Sequence, residues 1–216
     1  MSDQVMHESL PDVEVLKGRL NILAALGIIM SSEDEAWLRV HSKVADPEGL
    51  LCAYRVDNGA GDVMFVVFAD EGCIIKGFDH ESYLSPYARD EYEVWPGVYD
   101  EVPQGLLSLL DDPAFEKDDA TFCVWCERDD AVWKQGAVEA EDAEDGDDGG
   151  FEFLLGLLFP TAEDYVVWAQ DYYEEELPVQ AIECVYAGAT IDEAAIASIN
   201  PERDAPAALR EIQALG

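Results

Sequence analysis

An α+β fold is predicted by three features of the chain. Residues 50–78 read as three consecutive strands joined by two turns, a meander. Residues 121–135 read as a further hairpin, which brings the antiparallel sheet to about five strands. Helical periodicity opens the chain and returns from Thr161 to the end, giving an N-terminal helix and a C-terminal helical layer. A strand-rich part, 1–138, is therefore expected to pass through an acidic loop, 139–150, into a helical part, 151–216, packed with the first as one domain.

The first helix starts at Pro11 and carries Val13, Leu16, Leu20 and Leu23 on one stripe, with Gly27 as its expected stop. Ser32 and Glu35 have the spacing of a capping box before Trp37, Val40 and Val44. The same residues also alternate well enough for a strand, so 33–44 stays open between the two. In the meander, Leu50, Cys52, Tyr54 and Val56 alternate with Leu51, Ala53 and Arg55, as a half-exposed strand would. Asn58-Gly59-Ala60-Gly61 supplies residues that accept positive φ in a tight reversal. Val63 to Ala69 is apolar throughout, the pattern of a strand covered on both faces, and Asp70-Glu71-Gly72 turns into a third strand, Cys73 to Phe78.

Residues 79–103 read as a loop with an unusual aromatic content: Tyr83, Tyr87, Tyr92, Trp95 and Tyr99. Such loops either plug a sheet end or form a binding surface. A short helix is expected over Gln104 to Leu110, a strand over 121–127 and a short fifth strand from Val132-Trp133. Residues 139–148 hold seven carboxylates in ten positions and cannot pack, because like charges this dense repel. Phe151 to Phe159 is apolar on both faces and fits a strand or a helix equally. Thr161 caps a helix with Tyr165, Trp168, Ala169 and Tyr172 inward; Pro178 opens the next, which Gly188 closes. Thr190 with Glu193 marks a third, and Asp204 to Leu215 the last.

Charge bounds the function. Of 216 residues, 48 are acidic and 12 basic, for a formal charge of −36. Such a surface repels the phosphates of nucleic acid and of anionic lipid, so neither is an expected partner; it attracts basic proteins and cations. Solubility alone is the bland alternative. The first residues lack a basic region followed by an apolar run, and no apolar stretch approaches the ~20 residues of a membrane helix. Five cysteines, an odd number mostly inside apolar segments, fit free thiols in a reducing cytoplasm.

The candidate chemistry is sparse. Cys123-Val-Trp-Cys126 has zinc-knuckle spacing but no second pair, and its alternation as a strand points the thiols to opposite faces. The acidic run fails as a calcium loop: with Gly146 at the sixth position, Glu141 and Ala143 fall where the first ligands belong. No phosphate-binding glycine motif or lysine is present. No cofactor and no metal are predicted. Asp79-His80-Glu81-Ser82 holds acid–base groups at a strand end, with Cys73 upstream as a conceivable nucleophile for His80. No oxyanion-hole motif or nucleophile elbow accompanies them. Glu174, Glu175 and Glu176 sit near a helix C-terminus, where the dipole disfavours anions by roughly 0.3–1 kcal/mol each. Either that helix ends near Tyr172 or a basic partner compensates.

With IKGFDHES, WPGVYDEVP and TFCVWC in view, the chain resembles a group of uncharacterised bacterial cytoplasmic proteins carrying similar stretches. In size, acidity and α+β build it also looks like the immunity proteins that neutralise basic toxins. That likeness implies a non-enzymatic, cytoplasmic acidic protein that binds a basic one. Glu139, Glu141, Asp142, Glu144, Asp145, Asp147, Asp148 and Glu174–Glu176 would steer the partner, while Tyr83, Tyr87 and Trp95 anchor it. An enzyme using His80 with Asp79 or Cys73 is the alternative, and a domain whose charge merely keeps it soluble is a further one.

Overall fold

The computed structural model describes residues 10–45, 51–130, 132–138 and 147–215. Its elements are α1 (Val13–Met30), a 3-10 turn (Glu33–Leu38), β1 (His41–Val44), β2 (Cys52–Asp57), β3 (Val63–Ala69), β4 (Gly72–Phe78), α2 (Gln104–Leu107), β5 (Phe122–Glu127), β6 (Lys134–Gln135), α3 (Phe151–Gly156), α4 (Ala162–Tyr173), α5 (Val179–Tyr186), α6 (Glu193–Ile199) and α7 (Ala205–Ala214). The strands form one open antiparallel sheet in chain order, β1 through β6. The α+β architecture is therefore as predicted, with one strand more. The open stretch 33–44 divides between the two readings, a 3-10 turn over Glu33–Leu38 and β1 over His41–Val44, and within 151–159 α3 makes Phe151–Gly156 helical.

By compactness the chain divides into two units, one holding residues 10–17 and 44–157 and the other 18–43 and 158–215 among the described residues. In the first, the registers follow from the two-residue turn at Asp70-Glu71: Ala69 faces Gly72, Phe65 faces Lys76 and Val63 faces Phe78. On β2, Arg55 faces Phe65 and Asp57 faces Val63; on β5, Cys123 faces Lys76. Side chains alternate across the sheet, so Ala53, Phe65, Val67, Ile74, Cys123 and Trp125 share one face. There they meet Val98, Leu106, Leu110 and Phe115 from the segment before β5. The aromatic 79–103 segment thus partly plugs this face: Trp95 and Tyr99 pack against the core.

Lys76 is fully buried within that core. Its Nζ donates to the carbonyls of Glu116 (3.0 Å) and Phe115 (3.4 Å) and lies 5.1 Å from the centre of the Phe65 ring. Burial lowers its pKa to about 8, against the raising influence of Glu116 and Asp119.

In the second unit, every residue from Leu23 to Met30 is buried. Gly27 does not stop α1, contrary to expectation. The helix runs on because its last carbonyls find partners: Arg203 Nε donates to Ile28 O, Asn200 Nδ2 to Ile29 O, and Arg39 Nη2 to Ser31 O. Glu211 pairs with both Arg39, at 2.8 Å, and Arg203.

Other local expectations are corrected. Ser32 and Glu35 meet side chain to side chain at 2.9 Å, and the turn that follows is 3-10, leaving Trp37 78% exposed instead of inward. The helix at 104 tightens into 3-10 geometry from Ser108. The short strand begins at Lys134 because Trp133 turns in to donate to Pro11 O. Asp192, not Thr190, caps α6, its carboxylate accepting from Ala195 N. Thr161 does cap α4, in a reciprocal box with Asp164. Among the described residues no helix is long and apolar enough to cross a membrane.

Candidate functional site

The β3–β4 register builds the site. Because Val63 faces Phe78, one further step along both strands brings Asp62 beside Asp79 and His80. The β2–β3 loop holds Asp62 in place: Asn58 Oδ1 accepts from Ala60 N (2.8 Å) and Asp62 N (3.2 Å), while Asn58 Nδ2 donates to Asp62 Oδ2 at 2.6 Å. Asp62 Oδ1 takes two donors from His80, the backbone N–H at 3.0 Å and ring Nδ1 at 2.7 Å. Gly61, at φ +116, leaves room for the ring; a Cβ there would stand 3.3 Å from it.

The electrostatics follow from this arrangement. Burial pushes the Asp62 carboxyl up, but the donors from His80 and Asn58 outweigh it and hold the group below the usual carboxylate range. The same hydrogen bond, followed by the nearby carboxylates, raises the His80 imidazole above its ordinary value despite the loss of water around it. Its side chain remains 44% exposed. Asp79 moves the other way: burial and the neighbouring charges of Asp62 and Asp147 raise it. Its Oδ1 accepts from Glu81 N at 2.9 Å, and Gly150, at φ +79, lies so close that a Cβ would come within 2.6 Å of Asp79 Cβ.

A single hydroxyl joins the surrounding segments. Thr121 Oγ1 accepts from Asp79 N (3.0 Å) and donates towards Gly149 O (2.6 Å), with Gly77 O also near at 3.3 Å. Asp147 accepts from Ser82 Oγ, from Tyr83 N (2.7 Å) and from Gly149 N (2.9 Å).

The sequence-predicted residues are thus divided. Asp79 and His80 come together, with Asp62 added. Cys73 does not join them: it is fully buried at the opposite end of β4, where it faces Cys126, and burial pushes its thiol well up. Ser82 is committed to Asp147. Glu139, Glu141, Asp142, Glu144 and Asp145 lie outside the described residues; Asp147 and Asp148 belong to the loop before α3, where Asp148 accepts from Gly150, Phe151 and Glu152 backbone N–H groups. Glu174–Glu176 are exposed in the second unit, and α4 ends at Tyr173 with Glu174 as a left-handed cap, φ 55°. Tyr83 is exposed, whereas Trp95 is half-buried beneath Arg89, 5.1 Å from its ring.

Beside the Asp62 cluster lies a recess of about 280 Å³ lined by Arg55, Asp57, Gly61, Phe78, Glu116 and Asp119, among others. Arg55 is already paired with Asp57 at 2.5 Å. Two exposed tyrosines connect two of its walls: Tyr87 packs edge-on to Phe78 (5.9 Å), Tyr92 tilts against Tyr87 (5.1 Å), and Tyr92 Oη donates to Asp119 Oδ1 at 2.7 Å. Tyr87 and Tyr92 expose 67% and 53% of their surface. A larger recess of about 430 Å³ mixes Lys17 and Arg128 with Asp12, Asp70 and Asp130, and so offers no single sign of charge. Asp62, Glu116 and Asp119 were not singled out from sequence; the Asp70-Glu71 turn, which fixes the hairpin register, was the available signal for Asp62.

No family model, no curated protein and no solved structure matches the chain.

Proposed function

We propose that the chain is a non-enzymatic acidic binding protein for a basic protein, an immunity protein acting on a basic toxin in the cytoplasm being the form that the sequence suggests. The observation that carries the reading is the chain of contacts Phe78–Tyr87–Tyr92–Asp119 beside a recess walled by Asp57, Glu116 and Asp119. Carboxylates with exposed rings suit an arginine or lysine side chain, which gains from the anions and from the faces of the rings together. The net charge of −36 would speed the encounter by steering, and the tyrosines would hold the docked partner. Acidic residues occur in both units, and the exposed aromatic rings are what distinguish this face.

The test is shift mapping by NMR with an arginine-rich peptide at about 0.15 M salt, where diffuse attraction is largely screened. Changes concentrated at Tyr87, Tyr92 and Asp119, and reduced in Tyr87→Ala, support the reading. Changes spread evenly over both units, or none, overturn it.

A second reading is favoured by the His80–Asp62 bond, since an imidazole oriented by a buried carboxylate is the pairing used by general bases. It requires an acceptor substrate at the exposed ring. Failure of His80→Gln to alter turnover of any hydrolysable ester in a broad panel would remove it.

A further inference from the structure

We propose that Asp62, Asp79 and His80 form a binding site for a divalent transition-metal ion of the zinc type, a property separate from the docking of a basic protein. One ligand atom from each of the three lies within 4.8 Å of both others. Ligands about 2.0–2.2 Å from a tetrahedral zinc stand roughly 3.3–3.6 Å apart, so an ion requires the hydrogen-bonded pair to open by under about 1 Å and any wider pair to close by little more. One pair, His80 Nδ1 and Asp62 Oδ1, is at 2.7 Å. An ion between them takes the place of the shared hydrogen, which leaves Nδ1 for solvent while the ring keeps a hydrogen at Nε2.

The three donors do not hang from one flexible loop. Asp62 precedes β3 and Asp79 and His80 follow β4, so the hairpin register sets their separation. Outer hydrogen bonds then fix the carboxylates: Asn58 Nδ2 on Asp62, Glu81 N on Asp79, and Thr121 Oγ1 on the Asp79 backbone. Support of this kind orients metal ligands and raises their affinity. Gly61 and Gly150 clear the space that the ring and the Asp79 carboxylate occupy. Asp147, held by Ser82 and Tyr83, adds negative potential beside them.

The donor chemistry selects the ion. One imidazole nitrogen with two carboxylate oxygens suits Zn²⁺, Co²⁺ or Ni²⁺; Ca²⁺ prefers an all-oxygen shell of six or more ligands, and Mg²⁺ keeps most of its waters. Three protein ligands and a half-exposed histidine leave the fourth position open to water.

The experiment is titration of the full chain with Zn²⁺ by calorimetry, and with Co²⁺ by visible absorption, in a large excess of Mg²⁺ that occupies diffuse acidic surface. A single site, Co²⁺ bands of a four-coordinate nitrogen–oxygen sphere and a shift of the His80 ring resonances are expected. His80→Ala and Asp79→Asn should each weaken Zn²⁺ at least tenfold with the thermal transition still cooperative. The Glu174→Gln/Glu175→Gln/Glu176→Gln triple variant should leave it unchanged. Zn²⁺ binding that Mg²⁺ abolishes, that survives His80→Ala, or that falls equally in the triple variant overturns the proposal.

Discussion

Asp62 and Lys76 are both charged groups placed beneath the surface of the same sheet, and the protein treats them differently. Asp62 receives an imidazole N–H, a backbone N–H and an amide, and is held ionised. Lys76 receives two backbone carbonyls and the ring of Phe65, and burial lowers its pKa to about 8. A carboxylate at a strand end can recruit a partner from the opposing loop. A lysine in mid-strand reaches only the backbone of the segment that covers it. The number and charge of the partners, more than depth alone, decide in which direction each group's proton affinity moves and at what cost its charge is kept.

The largest test of that contrast is Lys76→Met. Between pH 8 and 10.5 the unfolded chain holds the Lys76 proton and the folded chain does not, so raising pH relieves a penalty that is fully present below 8. A shift from 10.5 to about 8 corresponds to roughly 3 kcal/mol. The variant lacks this rise. Its advantage over the parent, by urea unfolding, should be greatest near pH 7 and shrink by about 3 kcal/mol by pH 10.5. The thiols of Cys73 and Cys123, pushed up by burial, slope the other way in both proteins, and the difference removes most of their effect. A constant difference across that range would show that Lys76 keeps its ordinary affinity for protons.

Asp62→Asn should come next. It removes the anion that His80 donates to and is expected to cost about 1–2 kcal/mol at pH 5–6. The His80 imidazole should titrate closer to its ordinary value, as read from its ring carbon and proton shifts. Since the raised His80 favours folding below its unfolded pKa and loses that favour as pH rises through the folded one, the parent and variant should converge at higher pH. The smallest effect belongs to His80→Gln, which keeps a donor near Asp62 but not the titratable ring. Stability should change little, and the Asp62 carboxyl carbon should titrate at higher pH than in the parent.

A separate check concerns Glu174, which holds a left-handed conformation at the end of α4. Glu174→Gly should stabilise the second unit by about 0.5–1 kcal/mol, because glycine enters that region without strain and the anion leaves the helix terminus. Thermal unfolding monitored at Trp168 measures it.

Much of the sheet was legible because its strands carry local signals. Val63 to Ala69 has no polar residue, and the Asn58–Gly61 and Asp70–Gly72 turns bound it on either side. The helix end at Gly27 was not legible, since the groups that satisfy the carbonyls beyond it, Asn200 and Arg203, lie more than 170 residues away. The site divides in the same way. Asp79 and His80 stand out as neighbours in a polar turn, whereas Asp62 acquires meaning only when the hairpin register is carried one step past the strand. Nothing local distinguishes Asp119 from the other carboxylates until Tyr92 reaches it.

Thr121 leaves a kinetic signature. Its hydroxyl and amide hold the Asp79 and Gly77 backbones across a separation of about 42 residues, and the same hydroxyl reaches Gly149. The amide protons of Asp79 and Thr121 should therefore exchange with deuterium at one common rate, as a single opening event. Thr121→Val should uncouple them, the Asp79 amide then exchanging faster than that of Thr121, which keeps its bond to Gly77 O.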